Sequence, residues 1–264
     1  MELFRSDPRV QACWLLGSAQ SGHEDAYSDV DSMLLVDDAH FEAFSAELPH
    51  LFRRVARDIV LWWPERGNTD MCRNFAILFT GPPLLQYDIN ILRESAFSPG
   101  WLIGRSPEQL VFDKTGMVTA AFDHVPRPVY RPDGLLYQIE LFWVYAFIIV
   151  KYLRRNQLFK LCYTQQVFRD CHLEVLRALY ADHHWDWWPI SLSRLATVQQ
   201  QEAVHRYFAA SDPVQIAEAL PAELDSFAAD AQMACEMHEI PYPYRLETAI
   251  RTHIAQSGYL DSGS

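Results

Sequence analysis

GSAQSGHEDAYSDVD, residues Gly17 to Asp31, separates two short apolar runs, Cys13–Leu16 and Met33–Val36. Runs of that length bounded by turn-forming residues predict strands. A strand that ends in Gly17-Ser18 and passes into a helix exposes backbone N–H groups and a hydroxyl where an anion is held, which makes this pair a candidate phosphate cradle without a Walker lysine. Asp29 and Asp31 stand at i and i+2 at the start of the second strand, and alternation places both carboxylates on one face. Two like charges so placed repel unless a cation joins them. Mg²⁺ prefers oxygen ligands and takes one or two carboxylates together with substrate phosphates, so the pair asks for metal and nucleotide together.

Outward from this stretch, Ile59–Trp63, Phe75–Phe79, Leu84–Leu92 and Leu110–Phe112 predict further strands, and His40–Ala56 predicts a helix with Phe41, Phe44, Leu48, Leu51, Phe52 and Val55 at helical spacing. Residues 1–122 therefore read as a mixed-sheet α/β domain. Within Leu84–Leu92, Gln86, Asp88 and Asn90 share one face of an otherwise apolar strand. A polar face in contact with solvent explains Asp88 on its own. Taken with the Gly-Ser bend and the Asp-x-Asp pair, Asp88 becomes the third carboxylate of a site for two Mg²⁺ ions, the arrangement that clamps attacking and leaving oxygens in an in-line displacement.

Three prolines between Asp123 and Asp133 forbid regular helix and predict an extended connector. Beyond it Gly134–Asn156, Phe159–Asp182, Leu192–Ala209 and Pro213–His238 run long without strand alternation, so residues 133–256 predict a helical bundle and the fold class is α+β. Glu140 and Lys151 flank the apolar segment 141–150, a placement that complements the helix macrodipole. Asp113-Lys114-Thr115-Gly116 predicts a turn after a strand, and the cluster from His183 to Pro189 predicts packing of its three tryptophans between helices.

The pattern Gly-Ser, then Ser28-Asp29-Val30-Asp31, then a lone strand Asp88 resembles the signature of the polymerase-β-like nucleotidyltransferases over roughly the first 115 residues. Within that superfamily the chain looks most like the lincosamide and aminoglycoside nucleotidyltransferases, which also pair a catalytic α/β domain with a helical one and show a segment like Val111–Gly116 before the helices. The resemblance implies that Asp29, Asp31 and Asp88 bind metal and carry catalysis, that Gly17 and Ser18 hold the triphosphate, and that Lys151 neutralises part of its charge. It implies transfer of a nucleoside monophosphate from a nucleoside triphosphate such as ATP to a hydroxyl of a small molecule, an antibiotic, with release of pyrophosphate. The chain departs from the pattern in its short leader and in Ser32, where members often carry an apolar residue. A protein-modifying, antitoxin-type transferase and a nucleotide-binding regulator without turnover are the alternative readings.

The formal charge of −12, from 22 Lys and Arg against 34 Asp and Glu, repels phosphate backbones and argues against nucleic acid as substrate. Between Glu202 and Glu247 nine acids face only Arg206 and Arg245, which predicts a solvated helix surface. The five scattered cysteines, an odd number without a Cys-x-x-Cys, predict neither a disulfide framework nor a zinc ribbon and fit a cytoplasmic protein. The longest apolar run is ten residues, so no membrane association is expected. A homodimer is left open.

Overall fold

Alternation along Val30–Val36 sets the architecture of the first half. Leu34 and Val36 face one side of a sheet and Met33 and Leu35 the other, and all four are buried, so this strand is covered on both faces. The computed structural model describes residues 1–16, 28–55, 58–185, 187–209 and 212–258; the candidate cradle, Gly17 and Ser18, lies outside them. Among the described residues the sheet has six strands: Val10–Leu15 (β1), Val30–Val36 (β2), Ile59–Pro64 (β3), Cys72–Phe79 (β4), Leu85–Arg93 (β5) and Leu110–Asp113 (β6). Their order is β3-β4-β5-β2-β1-β6, with β2 and β5 parallel and every other pair antiparallel. The fold is thus α+β on a mixed sheet.

A parallel pair needs a long crossover, and here the chain between β2 and β5 supplies a helix and the β3–β4 pair. Among the described residues the α-helices of this half are Glu2–Ser6 (α1), Phe41–Val55 (α2) and Met117–Ala121 (α3). Phe41, Phe44, Leu48, Leu51 and Phe52 of α2, with Phe4 of α1, pack on Cys13, Phe75, Ile77, Ile89 and Ile91. Each such buried side chain contributes roughly 1.5–3 kcal/mol. Their sum outweighs the interruption by Pro49 inside α2, a residue that costs a helix interior about 3 kcal/mol. The opposite face is covered by Trp14, Leu92, Leu102 and Val118, and this cover stops at Met33. One row beyond Met33, Asp31 and Asp88 are only part-buried.

The chain divides into two compact units, Met1–Arg127 and Pro128–Ser264. The second holds Leu135–Arg154 (α4), Leu158–Leu179 (α5), Trp188–Leu195 (α6), Val198–Ala209 (α7), Pro213–Met237 (α8) and Tyr244–Gln256 (α9). Its core centres on Phe142, stacked between Phe168 and Phe227 at centroid distances of 4.3 and 3.5 Å. Residues 132–154 are long and apolar enough to cross a membrane by length and composition. In this fold Ile139, Phe142, Trp143, Ala146 and Ile149 of that segment are buried in the helical core, as a central helix requires.

Two expectations need correction. The single helix expected over Leu192–Ala209 is two, α6 and α7, because Thr197 starts a new helix: its Oγ accepts from the Gln200 N–H at 3.2 Å while the Gln200 side chain accepts from the Thr197 N–H at 3.0 Å. Helix α9 lies inside the expected bundle although prolines stand at 241 and 243, because Pro243 sits just ahead of its first turn, where a missing N–H costs nothing. Trp187 is 65% exposed at the residue before α6, whereas Trp185 stacks on Tyr180 and Trp188 on Phe208.

Candidate active site

Register brings the predicted carboxylates together. In the parallel β2–β5 pair Asp31 lies directly opposite Asp88, and Asp29 precedes Asp31 by two residues at the mouth of β2. One carboxylate oxygen from each of the three lies within 4.8 Å of the others. Asp29 is exposed; Asp31 and Asp88 are part-buried. Burial, reinforced by the charges of Asp29 and Asp88, pushes the Asp31 carboxyl up to about 6, while the Arg105 charge pulls the other way. Burial also raises Asp88, with the charges of Asp29 and Glu65 adding to the rise. The Gln86 amide opposes it by donating to both Asp88 oxygens at 3.2 and 3.1 Å.

The neighbouring rows hold this geometry. Asn90, next along the carboxylate face of β5, accepts from the Asn74 amide of β4 at 2.9 Å and donates to the Ser32 carbonyl of β2 at 3.3 Å, tying three strands at the site. Ser32 points to the opposite face, where its hydroxyl meets Tyr87 Oη at 2.8 Å, both under α2. The hydroxyl in place of an apolar residue is therefore satisfied and leaves the carboxylates undisturbed.

All-oxygen donors, a shared open face and mutual repulsion that raises Asp31 are the features a hard divalent cation relieves, so the residues fit Mg²⁺. Lys151 is exposed in the last turn of α4, its Nζ 5.0 Å from the Tyr152 ring centroid, and belongs to the second unit, as does the exposed Glu140. The Asp113 turn is structural. Burial raises its carboxyl, but N–H donors from Thr119, Gly116 and Thr115 and the Thr119 hydroxyl outweigh burial and hold it below the usual carboxylate range. Gly116 is in the left-handed region at φ +76°, which favours glycine there. Lys114 donates to the Asp7 carbonyl.

The acidic stretch beyond Glu202 is not wholly a solvated surface: Glu223 and Asp230 are buried on α8. Asp230 accepts from Gln200 at 2.8 Å and pairs with His172 at 2.8 Å, whose other ring nitrogen meets Tyr207 Oη at 2.9 Å. This network spans α5, α7 and α8, and its mates lie 30 or more residues apart, so no local pattern announces it.

No protein-family model matches the chain, and no curated protein matches it in sequence. Among solved structures the chain is similar to an aminoglycoside 6-adenyltransferase from Bacillus subtilis, at 14% identity and a TM-score of 0.45, over 97% of this chain and 95% of that one.

Proposed function

We propose that the protein is a Mg²⁺-dependent nucleotidyltransferase that passes a nucleoside monophosphate from a nucleoside triphosphate to a hydroxyl of a small molecule, with an antibiotic of the aminoglycoside or lincosamide kind as acceptor. The observation that carries this reading is the convergence of Asp29, Asp31 and Asp88 within 4.8 Å on an open sheet face. Metal ions held by these carboxylates stabilise charge on the reacting phosphate when bound.

Asp29 and Asp31, on successive same-face positions, orient the α-phosphate side of the donor. Asp88, opposite Asp31, stands where an acceptor hydroxyl approaches. Its raised affinity for a proton suits it to take the hydroxyl proton as the oxygen bonds to the α-phosphorus and the bond to pyrophosphate breaks. The Gln86 amide fixes the Asp88 carboxylate for that transfer. Gly17, Ser18 and Lys151 are carried as triphosphate-binding residues on the resemblance alone. The same reading makes the protein a cytoplasmic one acting on small molecules.

Incubation with labelled ATP, GTP and UTP, MgCl₂ and a panel of aminoglycosides and lincosamides tests the proposal. The expected result is labelled acceptor with equimolar pyrophosphate, lost by at least about 100-fold in Asp31→Asn and in Asp88→Asn. Absence of transfer from every triphosphate, or unchanged activity in Asp31→Asn, rejects it.

A further inference from the structure

The sheet registers align one row of side chains across four strands. Trp63 of β3 lies opposite Ala76 of β4, Ala76 opposite Asp88 of β5, and Asp88 opposite Asp31 of β2. Directly opposed residues share a face, so Trp63 stands on the carboxylate face, two strands or about 10 Å from Asp88, with only the Ala76 methyl between them. The adjoining row repeats the order: Leu61 opposite Leu78, Leu78 opposite Gln86. Trp62 turns to the other face and packs on Phe52 and Phe75, whereas Trp63 is 53% and Leu61 42% exposed. Glu65, two residues beyond Trp63, bonds through its N–H to the Asn74 carbonyl and lies close enough for its charge to reach Asp88.

The result is a shelf with an apolar floor and outer wall, Leu61, Trp63, Ala76 and Leu78, an acidic inner wall at Asp88, and Glu65 at one end. A polycation without an apolar face leaves Trp63 and Leu61 in water; an apolar ring without a charge leaves Glu65 unanswered. We propose that this shelf is the acceptor subsite and that Trp63 is its specificity-determining residue: the acceptor is an amphipathic amino alcohol whose apolar ring face lies on Trp63, whose ammonium meets Glu65 and whose hydroxyl reaches Asp88. This rests on the transferase reading, in which Asp29 and Asp31 of the β2 side face the donor and Asp88 of β5 faces the acceptor hydroxyl. In-line displacement puts the attacking oxygen opposite the leaving one, on the β5–β4–β3 side where the shelf lies.

Lincomycin, a hydroxylated ring joined to an apolar cyclic amine, is the probe, with kanamycin, a polycation lacking an apolar face, as control. Binding of each is measured by calorimetry in the presence of MgCl₂ and a non-hydrolysable ATP analogue, whose own binding is measured first. Wild type is expected to bind lincomycin more tightly than kanamycin. Trp63→Ala is expected to weaken lincomycin about tenfold and Trp63→Phe by no more than about threefold, with the nucleotide affinity unchanged in both. Equal lincomycin affinity in wild type and Trp63→Ala, or no lincomycin binding by a wild type that binds the nucleotide, overturns the subsite. Failure of wild type to bind the nucleotide strikes the transferase reading instead.

Discussion

Asp31 shows how one side chain ties the site to stability. Its carboxyl is pushed up to about 6 by burial and by Asp29 and Asp88. Without a cation, its contribution to stability is complete below the usual carboxylate range near 4 and is lost as pH rises through about 6. A divalent cation binds the ionised form and restores what is lost. Thermal unfolding followed at pH 5 and pH 8 should therefore show MgCl₂ raising the midpoint at pH 8 by about 3 °C, on the order of 1 kcal/mol for a partly solvated group, and leaving it nearly unchanged at pH 5. Asp31→Asn should raise the metal-free midpoint at pH 8 and abolish the MgCl₂ response; a response that survives in this variant contradicts the metal assignment. Asp29 and Asp31 were legible because strand alternation is a local rule, and Asp88 because a charge in an apolar strand stands out. Their closeness depends on parallel pairing across more than fifty residues of chain, which no local rule gives; it was expected from the metal chemistry and the resemblance, and register supplies it. Trp63 was passed over because an apolar run reads as buried, and nothing local tells an edge strand from a central one.

Elements in the sheet unit are joined by arginines whose role no periodicity reveals. Arg93, at the end of β5, donates to the carbonyls of Asp70 and Asp38 at 2.9 and 3.0 Å and to Glu42 of α2 at 3.0 Å, and its guanidinium lies 4.4 Å from the Phe41 ring centroid. Arg73 of β4 reaches the same Glu42 at 2.7 Å and Ser45 at 2.9 Å. Arg93→Met keeps the apolar stem over Phe41 but leaves two carbonyls and a carboxylate without this donor. We expect it to lower stability by about 2 kcal/mol in urea unfolding, and Arg93→Lys to recover less than half of that because one ammonium cannot span three acceptors. An effect below about 0.5 kcal/mol in Arg93→Met would show the clamp to be surface decoration. Strands and long helices were legible because each repeats a pattern over several residues. The break between α6 and α7 was not, because it is set by the single exchange of hydrogen bonds between Thr197 and Gln200.

Across the whole molecule the two units carry separate cores and different kinds of buried charge. In the helical unit Glu223 is fully buried, its Oε2 accepting from the Gln165 amide at 3.1 Å, while Glu223 Oε1 and Gln165 Oε1 have no donor among the described residues. Burial pushes the Glu223 carboxyl up to about 7, against the opposing pull of the Gln165 bond and the Arg206 charge. A proton on Glu223 turns one of two donorless oxygens into a donor, so the neutral acid suits its surroundings better than the carboxylate does. The linkage has a definite sign: this group's contribution is fully present below about 4.5, its usual range, and is lost as pH rises through about 7. Unfolding monitored from pH 5 to pH 8 should show the helical unit losing on the order of 2 kcal/mol over that interval. Glu223→Gln, which is neutral at every pH and keeps the volume, should remove the loss. Both measurements are made on an Asp31→Asn background, which removes the dependence that the sheet unit carries over the same interval. A pH slope that persists unchanged in Glu223→Gln would assign it to other groups and remove the buried acid from the account of this unit's stability.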